Sequence, residues 1–165
     1  MMDKIADHSA RVAVIGLGYV GLPLAVGFAR AGYPVLGLDL DTVKIACLGE
    51  GRSYIQDVAS ADVAAVVDSG HLQASADYRL LCEMNAIFIC VPTPFDVQKA
   101  PDLTYIEQAA RGIAAHLQPG QLVVLQSTTY PGTTEEFVLP LLEGSGLKAG
   151  QDFHLAFSPE RINPG

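Results

Sequence analysis

Residues 11–25 read Arg-Val-Ala-Val-Ile-Gly-Leu-Gly-Tyr-Val-Gly-Leu-Pro-Leu-Ala. The run from Arg11 to Ile15 is short, apolar and rich in β-branched side chains, and it stops at a glycine. That pattern predicts a strand buried on both faces. A helix is expected over residues 20–31, closed by Gly32. Between strand and helix, Gly16, Gly18 and Gly21 stand in the spacing G-x-G-x-x-G. The first glycine permits a tight turn, the second lets backbone approach a pyrophosphate, and the third lets the helix pack close to the strand. The helix N-terminus then offers free N–H groups and a partial positive charge to phosphates. A glycine turn that merely packs a helix on a sheet has the same spacing, but the strand–turn–helix setting favours phosphate binding.

A second strand, residues 34–39, ends at Asp39, eighteen residues beyond Gly21. A carboxylate there accepts hydrogen bonds from a ribose diol and repels a 2′-phosphate. No arginine follows, since the next residues are Leu40 and Asp41, which favours NAD over NADP. Lys44, five residues on, is a solvated lysine by itself and a contact on the adenosine side when placed beside Asp39.

Asp41 is placed to cap a helix to residue 48, and a further helix is expected over residues 59–70. Strands are expected at 72–75, 86–91, 122–126 and 153–157, and helices from Asp102 or Thr104 to His116 and over 134–143, the last bent at Pro140. Strands alternating with helices call for a parallel sheet with crossover helices on both faces. The fold class is therefore α/β, a Rossmann-type doubly wound parallel sheet in a single domain, with expected strand order 3-2-1-4-5-6. Residues 1–10 read as a flexible polar leader. The end of the chain, just after a strand, reads as the edge of a larger protein.

In such a sheet the carboxyl ends of the strands line the ligand crevice. Pro92 and Thr93 end the fourth strand, Ser127 and Thr128 the fifth, and Glu160 with Arg161 the sixth. The prolines stiffen their loop, and the hydroxyls of Thr93, Ser127 and Thr128 are candidate cofactor contacts, with Thr133 or Thr134 as a helix cap. Glu160 sits where a general base belongs, although a surface Glu–Arg pair has the same spacing.

Ten Lys and Arg against eighteen Asp and Glu give a formal charge of −8, which argues against nucleic acid as a partner. No apolar run reaches the ~18 residues of a membrane span, and the start carries no secretory signal. Cys47, Cys82 and Cys90 are odd in number and lack metal-ligand spacing. They are read as structural thiols in a reducing, cytoplasmic setting, with no metal site. His8, His71, His116 and His154 are scattered and receive no role.

The ordered set VAVIGLGYVGLPLA, GLDLD, FICVPTP, STTYPGTT and SPERINPG resembles the N-terminal NAD-binding domain of the UDP-glucose/GDP-mannose dehydrogenase family over residues 11–165. The runs Gly51-Arg-Ser-Tyr-Ile55 and Ala100-Pro-Asp-Leu-Thr104, with SPERI, resemble the branch acting on UDP-N-acetylglucosamine or UDP-N-acetylmannosamine. The resemblance implies a four-electron oxidation of the C6 alcohol of a UDP-N-acetylhexosamine, or of UDP-glucose, to the uronic acid with two NAD, through a cysteine thioester, for polysaccharide biosynthesis. It implies that Gly16, Gly18, Tyr19, Val20 and Gly21 hold the pyrophosphate and that Asp39 and Lys44 hold the adenosine side. Pro92, Thr93, Ser127 and Thr128 lie near the cofactor, Glu160 serves thioester hydrolysis, and Arg161 follows it in the substrate loop. Where UDP-glucose enzymes carry a second acid, this chain has Pro164, so that role does not transfer. The nucleophilic cysteine belongs to a middle helix and C-terminal domain beyond Gly165, and the whole enzyme is implied to be a homodimer or larger. Two alternatives compete: a two-electron 6-phosphogluconate-like dehydrogenase, against which the PGTT and SPER segments argue, and a non-catalytic NAD-binding module.

Overall fold

The computed structural model describes residues 2–94 and 101–159. Six four-residue strands form one parallel sheet: β1 (Val12–Ile15), β2 (Val35–Leu38), β3 (Leu72–Ser75), β4 (Ala86–Ile89), β5 (Leu122–Leu125) and β6 (His154–Phe157). Their order is β3-β2-β1-β4-β5-β6, as expected from the sequence. Helices α1 (Met2–Ala6), α2 (Gly21–Arg30), α3 (Thr42–Gly49), α4 (Ser60–Asp68), α5 (Thr104–Ala114) and α6 (Leu139–Glu143) accompany a 3₁₀ helix at Tyr78–Glu83 and a π-helical turn at Thr133–Val138.

The period-two alternation of a strand explains how one apolar run serves two cores. Val12 and Val14 of β1 point to one face, where they meet Leu22, Ala25, Val26 and Ala29 of α2 and Val63 and Val66 of α4. Ala13 and Ile15 point to the other, where Ile87 and Ile89 of β4 and Ile106, Ala109, Ala110 and Ile113 of α5 complete a second cluster. The inner residues of α2 and α5 recur at three- and four-residue intervals, as one helical face requires. Strands β1 and β2 are buried throughout, whereas edge strand β6 is partly exposed. Chain order reverses between β1 and β4, which pair on opposite sides of the switch point. The loops leaving them diverge to opposite faces and open a crevice above the carboxyl ends.

Two local expectations change. The leader carries helix α1, and it is tied down: Tyr33 Oη donates to Ile5 O at 3.1 Å, and the His8 ring lies 4.8 Å from that of Tyr33. The helix expected over 134–143 is present as one run from Thr133 to Glu143, and Pro140 stands where the π-helical turn passes into α6. Neither Thr133 nor Thr134 caps: Gly132 occupies that position in a left-handed conformation, and Thr133 Oγ1 donates back to Tyr130 O at 2.8 Å. Asp41 does cap α3, its Oδ1 accepting from Val43 N–H at 2.9 Å.

Gln121, 3% exposed, joins β5 to the segment before β4. Its Nε2 donates to Leu81 O and Met84 O, each at 2.7 Å, and its Oε1 accepts from Gln118 N–H at 2.9 Å. Gln121→Leu keeps the volume but removes these partners. Urea unfolding of that variant is expected to show a loss of about 1–3 kcal/mol, and unchanged stability would show that the buried amide contributes nothing.

Candidate functional site

The glycine turn is built from two peptide planes. Leu17 N–H donates to Asp39 Oδ2 at 2.8 Å. In a planar trans peptide the preceding carbonyl points the opposite way, so Gly16 O is driven toward α2. There a Cβ on Gly21 would lie 1.8 Å from it, which explains why this position is glycine. Gly16 itself sits at φ +90°, with Cys90 O 2.7 Å from where its Cβ would be. Gly18 differs from both: a Cβ there meets nothing within 4 Å. Protein packing does not demand glycine at 18, and the space its side chain would take belongs to the cleft. Among the described residues, the N–H groups of Gly18, Tyr19 and Val20 have no acceptor. Open donors at a glycine-lined helix entrance fit a pyrophosphate.

That cleft measures about 630 Å³. It brings together Gly16, Gly18, Tyr19, Val20, Asp39, Lys44, Pro92, Thr93, Ser127 and Thr128, all named from the sequence, while Gly21 acts from beneath through packing. Glu160 and Arg161 lie outside the described residues. Sequence reading missed Tyr54, Tyr78, Tyr105 and Gln108, which also line the cleft. Only Tyr54 carried a signal, as part of the Gly51–Ile55 run, and nothing in its spacing tells that it reaches the glycine turn.

Both carboxylate oxygens of Asp39 are engaged within the protein. Its side chain is 11% exposed. Oδ1 accepts from Asp41 N–H at 2.9 Å, and Oδ2 accepts from Leu17 N–H and, at 3.1 Å, from Lys44 Nζ. Burial by itself would raise the Asp39 carboxyl, but the Asp41 and Leu17 N–H donors and the Lys44 ammonium outweigh it and hold it below the ordinary carboxylate range. Oδ1 retains acceptor capacity for a hydroxyl. Burial and then the Asp39 charge push the Tyr54 phenol upward, and burial does the same for Tyr78, so both stay protonated donors.

Across the switch point, the strand ends are bonded to each other. Thr93 Oγ1 donates to Thr128 O at 2.7 Å. Ser127 Oγ donates to Val91 O at 2.7 Å and is buried, so Ser127 braces the wall while exposed Thr128 faces the crevice. No group of three His, Cys, Asp or Glu among the described residues is placed to hold a metal ion.

Residues 10–165 match the profile of the UDP-glucose/GDP-mannose dehydrogenase family, NAD binding domain. The chain belongs to this family. A relative from Pseudomonas aeruginosa, UDP-N-acetyl-D-glucosamine 6-dehydrogenase, is 43% identical over 94% of the chain and 36% of its own length. UDP-N-acetyl-D-mannosamine dehydrogenase of Pyrococcus horikoshii is 39% identical over 94% of the chain and 37% of its own length. The solved NDP-N-acetyl-D-galactosaminuronic acid dehydrogenase of Methanosarcina mazei superposes with a TM-score of 0.89 at 36% identity, over 97% of the chain and 36% of that structure. The chain thus spans about a third of the length of these family members and corresponds to their NAD-binding domain.

Because folding depresses the Asp39 carboxyl, its contribution to stability is complete above the unfolded-state value of about 3.9 and fades as pH falls through the lower folded-state value. Acid titrations followed by circular dichroism are expected to show a shallower loss of stability below about pH 4 in Asp39→Asn than in wild type. Identical acid limbs would show that Asp39 is not the anchor of the turn.

Proposed function

We propose that the chain is the cofactor half of a nucleotide-sugar 6-dehydrogenase, one that oxidises the C6 alcohol of a UDP-N-acetylhexosamine to the uronic acid. The observation that carries the reading is the Gly18 cradle, open toward the cleft that Asp39, bonded to the same turn, also lines. The substrates named for the P. aeruginosa and P. horikoshii relatives support the sugar class. In this reading Gly16 to Gly21 receive the pyrophosphate, Asp39 Oδ1 accepts from an adenosine ribose hydroxyl, and Lys44 keeps the carboxylate oriented. Thr93 and Thr128, tied to each other, flank the far half of the cofactor. Bound NAD supplies the hydride acceptor, once for alcohol to aldehyde and once for aldehyde to acid. The sugar-binding and nucleophilic groups come from the remainder of a longer protein, which assembles as a homodimer or larger in the cytoplasm and serves polysaccharide biosynthesis.

An acidic anchor with no adjacent arginine favours NAD over NADP. No helix among the described residues is long and apolar enough to cross a membrane. Calorimetric titration is expected to give tighter binding of NAD than of NADP. The full-length enzyme is expected to release two NADH per UDP-N-acetylhexosamine consumed, about two in all by the chemistry of a four-electron oxidation. Tighter NADP binding, or one NADH per sugar, would overturn the reading and favour a two-electron dehydrogenase.

Glu160 is proposed as the carboxylate that activates water in thioester release. Rapid mixing of full-length Glu160→Gln with substrate is expected to give a burst of about two NADH per site, then slow turnover, with sugar attached to the protein by intact-mass analysis. A wild-type steady-state rate with no adduct would remove Glu160 from the mechanism.

A further inference from the structure

We propose that Tyr54 is a positioning residue for the pyrophosphate turn, its hydroxyl setting the direction of the Gly18 N–H through the peptide that Leu17 and Gly18 share. Tyr54 Oη donates to Leu17 O at 2.8 Å, reaching across from a segment thirty-seven residues further along the chain. In a planar trans peptide the carbonyl and the following N–H are antiparallel. Holding Leu17 O toward Tyr54 therefore turns Gly18 N–H away from it, as an open donor beside the cleft. Asp39 fixes the neighbouring plane through Leu17 N–H. Leu17 is thus gripped at both of its backbone polar groups, one by each side chain, and its own side chain is fully buried.

Tyr54 is itself held. Ser53 N–H donates to Ser60 Oγ at 3.0 Å, at the start of α4, and Ser53 Oγ donates to Ile55 O at 3.0 Å. Ile55 and Val58 are buried in the core cluster of α2 and α4. The phenol therefore arrives from a loop anchored on both sides, and burial keeps it protonated as a donor. A free turn would have to order its amides when the cofactor arrives, whereas this one is ordered beforehand, which lowers the entropic cost of binding. The inference rests on the reading of the cleft as the NAD site.

The test uses Tyr54→Phe, which keeps the ring and any packing against the cofactor and removes only the hydroxyl. In the cofactor-free protein, the Gly18 amide ¹⁵N resonance is expected to move, because the carbonyl bonded to that nitrogen loses its hydrogen bond. Titrations are expected to show NAD and ADP-ribose binding weakened about fivefold, the worth of one hydrogen bond, with adenosine affinity unchanged. An unmoved Gly18 resonance, or NAD affinity equal to wild type, would overturn the proposal. Equal weakening of adenosine would also overturn it, since the hydroxyl would then serve the adenosine end or the fold at large. Wild-type protein that binds no NAD would instead overturn the cofactor reading, and the Gly18 resonance would still decide whether the clamp exists.

Discussion

The hydrogen bond from Leu17 N–H to Asp39 Oδ2 is the constraint on which the site depends. It joins the ends of β1 and β2, the two strands whose carboxyl termini begin the cleft. It also sets the plane of the Gly16–Leu17 peptide, and from that plane follows the demand for glycine at 21. The acidic residue at the end of β2, proposed as the ribose ligand, is thus also a structural partner of the glycine turn. The desolvation of its carboxylate is offset by two backbone donors and Lys44. The same bonds that lower its pKa hold the turn in shape before any ligand arrives.

Around that bond the sheet provides position. Parallel pairing places β1 between β2 and β4, in matched register along all four residues. Both faces are sealed by helices, so the strand ends have little freedom except upward into the loops. On the β4–β5 side the loops brace each other through Thr93 with Thr128 O and Ser127 with Val91 O. The cleft is therefore framed by hydrogen bonds on both sides of the switch point, which suits a ligand that must lie extended across it.

Much of this was legible in the sequence, and for local reasons. The β-branched run before Gly16, the glycine spacing and the strand-end position of Asp39 are short-range signals, and the sheet order follows from regular alternation of strand and helix. The misread residues depend on partners far along the chain. Tyr54 acts on Leu17, and the leader is ordered by Tyr33, contacts that no periodicity reports. Ser127 lines the cleft as expected, but its hydroxyl donates to a carbonyl on the neighbouring strand end, a long-range partner that its position in the sequence does not report. Pro140 shows the converse: a proline inside the helical run over 134–143 was legible, whereas the π-helical turn that precedes it was not. The sugar class was read from the resemblance of the Gly51–Ile55 and Ala100–Thr104 runs and not from any periodicity or spacing.

A crystal structure of the protein bound to NAD tests the central claim most directly. The account predicts the pyrophosphate against the amides of Gly18, Tyr19 and Val20, the adenosine ribose on Asp39 Oδ1, and the Leu17 bonds to Asp39 and Tyr54 both retained. A turn that rebuilds itself around the cofactor, with the Leu17–Asp39 bond broken, would contradict it.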